Sequence, residues 1–151
     1  MRTLLEDIKI KRVMNAVAAG TSSQTGSAVD MAQDGGYDGV LFVAMFGALT
    51  ATQVTSLKAQ QSADDGSADS YADLDGAETA ALEDTDGNKC LVLDVFRPAE
   101  RYVKPTIVRG TANAVIDGML AILYRGRQRP SLQDTTVAQA LAVVTPDEES
   151  A

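Results

Sequence analysis

Nine residues decide the fold of this chain: Arg101-Tyr-Val-Lys-Pro-Thr-Ile-Val-Arg109. Successive side chains of a strand point to opposite faces, so a strand here would place Val103 and Ile107 on its inner face. Pro105 favours an edge strand or a bulge, because proline cannot donate a hydrogen bond to a neighbouring strand. The run therefore predicts a β-strand with one buried face.

Outward from this run, the apolar segments are short, rich in Val and separated by clusters of Gly, Asp and Ser. That spacing is typical of an antiparallel β protein, and helical periodicity is poor throughout. The pattern indicates an all-β fold, an antiparallel two-sheet β-sandwich of the jelly-roll kind. About eight strands are predicted: Ile8–Val17, Ala28–Met31, Gly39–Phe46, Val54–Ser62, Glu78–Glu83, Lys89–Phe96, Tyr102–Arg109 and Ala114–Arg125.

One of these strands, Gly39–Phe46, is apolar without interruption. We expect both of its faces to be covered, as in the middle of a packed sheet or at a contact between subunits. The sandwich is predicted to occupy residues 1–130, and residues 131–151 are predicted to form a C-terminal arm or tail. Asp134–Ala142 can alternatively be read as an N-capped helical turn, because its apolar residues share one face.

Segments rich in Asp and Gly are predicted to be turns, in which Gly tolerates positive φ and Asp bonds to the neighbouring backbone. The Asp84–Gly87 segment differs from a calcium-binding loop. Such a loop needs a Gly at its sixth position and a Glu at its twelfth, whereas this chain has Gly87 at the fourth position and Val95 at the twelfth. No metal site is therefore expected. The predicted turns are Gln33–Gly36, Asp64–Gly66, Asp73–Gly76 and Asp84–Gly87, the last two as hairpin turns.

Length and composition indicate one soluble domain. A chain of 151 residues can bury a sizeable core. Its single cysteine, Cys90, excludes a disulfide framework, and the apolar neighbours of that residue predict a buried thiol. The longest apolar stretch, Val40–Leu49, is far shorter than the ~20 residues needed to cross a bilayer. We expect no signal peptide and no association with a membrane.

Charge is distributed unevenly along the chain, whose net charge is −8. Residues 64–86 contain nine carboxylates and no Lys or Arg, whereas residues 89–129 contain eight of the thirteen basic residues. Carboxylates that repel one another cannot all be desolvated, so we expect the acidic region to be rich in loops and to face solvent. The basic region is expected to provide a docking face.

Several classes of function have little support in the composition. The chain contains no histidine, which is the commonest general base and metal ligand and the usual partner of a nucleophile. We therefore expect no enzymatic activity, no cofactor and no catalytic residue. We also expect no nucleic-acid partner, because the chain is acidic and its Arg125-Gly-Arg-Gln-Arg129 cluster lacks interleaved aromatic residues.

Arginine is enriched at protein interfaces, where its planar guanidinium pairs with carboxylates. The basic region is therefore predicted to contact a partner protein or another subunit, although a solvated strand end is the alternative for the Arg125–Arg129 cluster. The candidate interface residues are Arg97, Arg101, Tyr102, Lys104, Arg109, Arg125, Arg127 and Arg129.

Several short motifs occur in an order that is similar to that in small proteins encoded beside the major capsid gene of tailed bacteriophages. The resemblance extends from Asp7 to about Pro130, and no motif after Pro130 contributes to it. The motifs are Ile8-Lys-Ile-Lys-Arg-Val13, Gly36-Tyr37-Asp38, Gln60-Gln-Ser-Ala-Asp-Asp-Gly66, Ala72-Asp73 and Arg101-Tyr102-Val103.

The resemblance implies a decoration protein, also called a cement protein, with a jelly-roll subunit that is usually trimeric. Such a protein binds the outer surface of the mature virion, and its partners are the major capsid protein and further copies of itself. It would be made in the host cytoplasm. Two alternatives remain open at this point: a head-to-tail connector or tail-completion protein, and a carbohydrate-binding jelly-roll module.

Overall fold

The computed structural model describes residues 2–148, which form ten strands, one short helix and one 3₁₀ turn. The α-helix α1 spans Leu4–Asp7, and the 3₁₀ turn spans Gln33–Gly35. The strands are β1 (Ile8–Met14), β2 (Val17–Gly20), β3 (Gln24–Thr25), β4 (Val29–Asp30), β5 (Gly39–Leu49), β6 (Val54–Ser62), β7 (Ala72–Glu78), β8 (Cys90–Phe96), β9 (Tyr102–Gly110) and β10 (Ala114–Tyr124).

The strands make two antiparallel sheets, which confirms the predicted β-sandwich. Sheet A has the order β1-β10-β5-β8, with β2 also on β10, and sheet B has the order β3-β9-β6-β7, with β4 also on β9. The strand β2 continues the pairing of β1 along β10, and β4 continues that of β3 along β9. When each of these pairs is counted as one interrupted strand, eight strands remain in the interleaved order of a jelly roll.

The core lies between the two sheets and consists mainly of aliphatic side chains with two phenylalanines. Along β5, the fully buried Val40, Phe42 and Ala44 alternate with partly exposed residues that face away from sheet B. Along β9, the alternation has the predicted phase, with Val103 and Ile107 inside. Both sheets thus bury one face against the other.

Pro105 does not lie in an edge strand, because β9 pairs with β6 on one side and with β3 and β4 on the other. Its carbonyl accepts a hydrogen bond from Gly26 N at 2.9 Å, in the gap between β3 and β4. A proline fits this central strand because its missing N–H faces a point at which the neighbouring pairing is interrupted. The edge-strand interpretation was therefore wrong. Pro105 is tolerated because the strand pairing beside it is interrupted between β3 and β4.

Three other local predictions were wrong. The expected strand Glu78–Glu83 is irregular, and the expected turn Asp73–Gly76 lies inside β7, which pairs with β6 through a shifted register. This strand is difficult to recognise from sequence because four of its seven residues are Asp, Gly or Glu, which are depleted in strands. Cys90, which was expected to be buried, is exposed on the outer side of sheet A.

The remaining turns form as predicted, with one qualification. Gly36 N donates to Gln33 O at 2.9 Å, and Gly66 N donates to the Asp64 carboxylate at 2.9 Å. In the Asp84–Gly87 turn, Asp86 N donates to Glu83 O at 3.0 Å. That turn joins β7 to β8, which belong to different sheets, so it is not the turn of a hairpin.

The acidic region faces solvent, as expected. Six of its nine carboxylate residues are exposed and the other three are partly exposed, although β7 runs through it. Asp64 organises the first loop, where its oxygens accept hydrogen bonds from the backbone N–H groups of Gly66, Ala68 and Asp69. These bonds, that from Ala68 above all, hold the pKa of Asp64 below its usual range.

The C-terminal segment after Pro130 forms neither a helix nor a strand in its described part, residues 131–148. The helical alternative for Asp134–Ala142 is therefore wrong, and only a turn follows Asp134, whose carboxylate accepts a hydrogen bond from Thr136 N at 3.0 Å. The first part of the segment is attached to β1 through side chains. Gln133 accepts a hydrogen bond from Ile10 N at 2.8 Å, and Thr136 accepts one from Arg12 N at 2.8 Å.

Candidate interaction site

The outer face of sheet A is apolar over most of its area. Its cross-strand rows are Ile10–Ile122–Leu41–Asp94 and Arg12–Leu120–Val43–Val92, followed by Met45 opposite Cys90, so each of the two long rows ends in one charged residue. These residues alternate with the buried ones, and each is partly or fully exposed. We call them the A face: Ile10, Leu41, Val43, Met45, Cys90, Val92, Leu120 and Ile122.

The outer face of sheet B is polar, and its polar groups bond to one another across the strands. Lys58 Nζ and Gln60 Nε2 both reach the carboxylate of Asp73, at 3.0 Å and 2.7 Å. Ser56 Oγ donates to Glu78 Oε1 at 2.7 Å. Such a face is satisfied in water, whereas a large exposed apolar patch usually marks an interaction site.

Five of the eight predicted interface residues lie at one end of the sandwich. Gly39, at the start of β5, is paired with both Phe96 and Tyr124, so β8 and β10 end side by side there. The strand β9 begins at the same end, because only five residues separate it from the end of β8. We call this the basic end, and its members are Arg97, Arg101, Arg125, Arg127 and Arg129.

Three of these arginines form ion pairs within the chain. Arg101 binds Asp30 with two nearly parallel hydrogen bonds, at 2.9 Å and 2.8 Å. That contact holds the pKa of Asp30 below its ordinary value. Arg127 pairs with Asp38, and Arg129 Nε lies 3.4 Å from the carboxylate of Asp7. These three side chains have partners already.

The other two, Arg97 and Arg125, form no ion pair within residues 2–148. Their guanidinium carbons lie 5.2 Å and 5.3 Å from the centre of the Phe96 ring, which is 48% exposed. Cation–π contact orients both groups without neutralising them. Two exposed cations beside an exposed ring can bind a carboxylate of a partner protein.

Tyr124 stabilises the aromatic part of this cluster. Its ring stacks on Phe96 with a centroid distance of 6.4 Å, and its hydroxyl donates to Asp94 at 2.6 Å. The ring crosses Gly39 so closely that a Cβ there would meet it at 2.3 Å, so this position requires glycine. Burial, and then the bond to Asp94, raise the pKa of Tyr124 to about 12, so the phenol stays protonated and donates at neutral pH.

Tyr102 and Lys104 lie on the outer face of sheet B, Tyr102 at the start of β9 beside the basic end and Lys104 farther along the strand. Lys104 Nζ is 3.8 Å from the centre of the Tyr71 ring, and Tyr102 lies under the guanidinium of Arg101 at 5.1 Å. The two residues belong to the polar face described above. They are separated from the A face by the thickness of the sandwich.

Arg109 has a different role from the one predicted. Its exposed fraction is 6%, and its guanidinium donates to the carbonyls of Ser22, Ala18 and Ala114 at 2.7, 3.0 and 2.6 Å. Desolvation lowers its pKa from the ordinary value. The side chain thus fastens the segment after β2 to β10 from the inside, and its burial leaves little surface for a partner.

The sequence predictions missed the A face, although its signal was present. The apolar run in β5 pointed to cover on both faces, and the outward positions of β8 and β10 are also apolar. These positions form one surface only because β10 pairs with β5. The two strands are more than sixty residues apart in the sequence, so local patterns do not reveal the pairing.

Comparison with known proteins adds no identification: no family model matches the chain, and a search of curated proteins finds no significant similarity. Within residues 2–148, no group of three or more Cys, Asp or Glu side chains is placed to hold a metal ion. No helix in that same range is long and apolar enough to span a membrane. The candidate surfaces for interaction are the A face and the basic end.

Proposed function

We propose that this chain is a structural virion protein that binds the outer surface of a tailed-bacteriophage capsid as a decoration, or cement, protein. In this proposal it acts as a homotrimer and stabilises the contacts between capsomers. The observation that carries the proposal is the A face, because a soluble β-sandwich with one apolar outer face has a surface for assembly. The motif resemblance described above supports the same assignment.

The two candidate surfaces have different tasks in this proposal. The A face provides the contact between subunits, because its aliphatic side chains exclude water without needing polar partners. The basic end contacts the capsid, because Arg97 and Arg125 have no ion-pair partner in the described chain and can bind acidic side chains. An otherwise acidic protein presents these charges at one end only.

Stabilisation of the shell follows from binding to the assembled lattice and not to its dissociated parts. Three weak contacts made by one trimer reinforce one another through their high effective concentration. No chemical step is needed. The protein would act by occupying sites between capsomers, and its effect would depend on its concentration during maturation.

The test is binding of the purified protein to heads of the phage that encodes it, before and after expansion. We expect the double variant Arg97→Gln with Arg125→Gln to bind at least tenfold more weakly, and wild-type binding to weaken with salt. The matched control is Lys58→Gln with Lys104→Gln, which removes the same charge from the outer face of sheet B and should bind like wild type.

Electron cryomicroscopy of the decorated heads distinguishes the proposal from a connector role. Density over the whole shell, in many copies, supports a decoration protein. Density at a single vertex would support the connector or tail-completion alternative, and no binding to any head form would refute the proposal. Glycan-array binding would support the carbohydrate-binding alternative instead.

A further inference from the structure

The C-terminal segment carries an apolar stretch that its own chain covers only in part. Ala140, Ala142 and Val144 line an open cavity together with Leu5 and Pro130. Within the described residues, no hydrogen bond joins residues 138–148 to the rest of the protein. Leu141, Val143 and Val144 are 81%, 58% and 51% exposed. We call residues 138–146 the arm. An exposed apolar segment of this kind gains free energy by packing on a partner.

The two edges of sheet A differ in how their backbone groups are satisfied. On β1, the N–H groups of Ile10 and Arg12 donate to Gln133 and Thr136, and Gln133 Nε2 donates to Ile8 O at 2.8 Å. On β8, alternate residues turn their N–H and C=O groups away from β5, and no described strand pairs with that side. An uncovered strand edge is a template for another strand.

A groove of mixed polarity runs beside this uncovered edge. It lies between β7 and β8, and its apolar lining comes from Leu74, Ala77, Leu93 and Val95, whereas Asp75, Asp94 and Arg97 provide charged groups. A strand added to β8 would direct every second side chain toward this groove, because side chains alternate along a strand. The edge thus offers backbone hydrogen bonds and a partly apolar surface.

We propose that the arm of one copy adds as a strand to the β8 edge of a neighbouring copy. This inference rests on the self-assembly in the proposed function and names the segment that links the subunits. Residues 138–144 of the arm are all exposed, and a segment of this length can cover the seven residues of β8. Backbone hydrogen bonds supply affinity in strand addition, and alternate side chains supply specificity.

Charge sets the direction of the added strand. The arm is followed by Asp147 and Glu148, and the two arginines of the basic end that form no ion pair in the described chain, Arg97 and Arg125, lie at the end of β8. Each guanidinium has five N–H donors, so it can bind a carboxylate of the arm and still offer donors to the capsid. A parallel pairing brings the acidic residues to these arginines, whereas an antiparallel pairing brings them to the start of β8. The arm therefore runs parallel to β8.

The acceptor is another copy because the geometry disfavours the arm's own β8. The arm leaves from the β1 side of sheet A, and β1 and β8 lie at opposite edges of that sheet. Crossing to the far side takes about 19 Å, or roughly six residues, at ~4.8 Å between strands and ~3.3 Å per residue. Most of the arm would be used in the crossing.

Disulfide trapping tests the proposal, because Cys90 is the only cysteine and lies exposed at the start of β8. Cysteine is introduced singly as Ala138→Cys, Ala140→Cys, Ala142→Cys and Val144→Cys, and the protein is oxidised mildly with diamide. Parallel pairing brings the first position nearest to Cys90. We expect A138C to give covalent dimers and trimers on non-reducing gels, with yields that fall at least tenfold toward V144C.

The matched control repeats the series in a Cys90→Ser background, where the ladder of linked subunits should disappear. A monomer with an internal disulfide would overturn the proposal, since the arm would then bind its own chain. A maximum at V144C would overturn the parallel direction. Intact trimers without any cross-link would refute the addition of the arm to β8 while leaving the proposed function standing. A protein that is monomeric in solution and on heads would refute the self-assembly itself.

Discussion

The outer faces of the two sheets differ in polarity: the outer face of sheet B is polar, whereas that of sheet A is mostly apolar. On sheet B, Lys58, Gln60 and Ser56 already have partners on β7, and water satisfies the rest of that face. On sheet A, Val43 is paired with Leu120 on one side and Val92 on the other, and only Arg12 at the end of this row can bond to water. In the proposed function, sheet A therefore faces a protein partner and sheet B faces solvent.

The largest expected effect separates the inner from the outer side of sheet A. Phe42→Ala should lower the free energy of unfolding by about 3–5 kcal/mol, because it leaves a cavity in a close-packed core. Val43→Thr, one residue later on the outer side, should cost less than about 1 kcal/mol in a surface setting. Urea unfolding at a concentration where the chain is monomeric provides both values. Equal losses would mean that the outer side is packed in the isolated chain.

A second test compares two arginines, one inside the sandwich and one at the basic end. Arg109→Met should destabilise the chain by about 2–3 kcal/mol, because three carbonyls lose a charged donor. Arg125→Met should change stability by no more than about 0.5 kcal/mol, as exposed substitutions usually do. Thermal unfolding of the two variants measures both changes in stability. A stable Arg109→Met protein would show that this side chain is dispensable for the fold.

The smallest expected effect concerns the ion pair between Arg101 and Asp30. Because Arg101 holds the pKa of Asp30 below its unfolded value, the pair contributes stability above that unfolded value and loses it as pH falls through the folded pKa. Asp30→Asn should therefore cost about 0–1 kcal/mol at pH 7. The difference from wild type should shrink as pH falls below the unfolded value of about 3.9, and it should vanish once the pH lies below the lowered folded pKa. A difference that persists there would point to the hydrogen bonds and not the charge.

Much of the fold could be predicted because most strands show their pattern within a few residues. The alternation in β9 and the apolar run in β5 each identify a strand on local grounds. The strand β7 was missed because its residues favour turns, and pairing with β6 overrides that preference. Pro105 predicted an edge strand, but β9 is central. The gap between β3 and β4 that accommodates the proline has no recognisable pattern in the sequence.

The candidate site was predictable only in part. The sequence shows that basic residues are concentrated in residues 89–129, and the fold brings five of these arginines to one end of the sandwich. Sequence spacing could not distinguish Arg109, which three carbonyls hold inside the sandwich, from Arg125, which stays exposed. Nor could it predict the A face, whose rows come from four strands that are adjacent only after folding.

The most direct measurement of the central claim is the mass of the protein in solution, by light scattering coupled to size exclusion. Wild type should have three times the chain mass of 15.9 kDa. Two matched substitutions then separate the faces: Val43→Glu on sheet A and Val108→Glu on sheet B, both at partly exposed outward positions. We predict that Val43→Glu gives folded monomer and that Val108→Glu leaves the trimer intact. A monomeric wild type, or a trimer that survives Val43→Glu and dissociates with Val108→Glu, would contradict the assignment of sheet A as the assembly face.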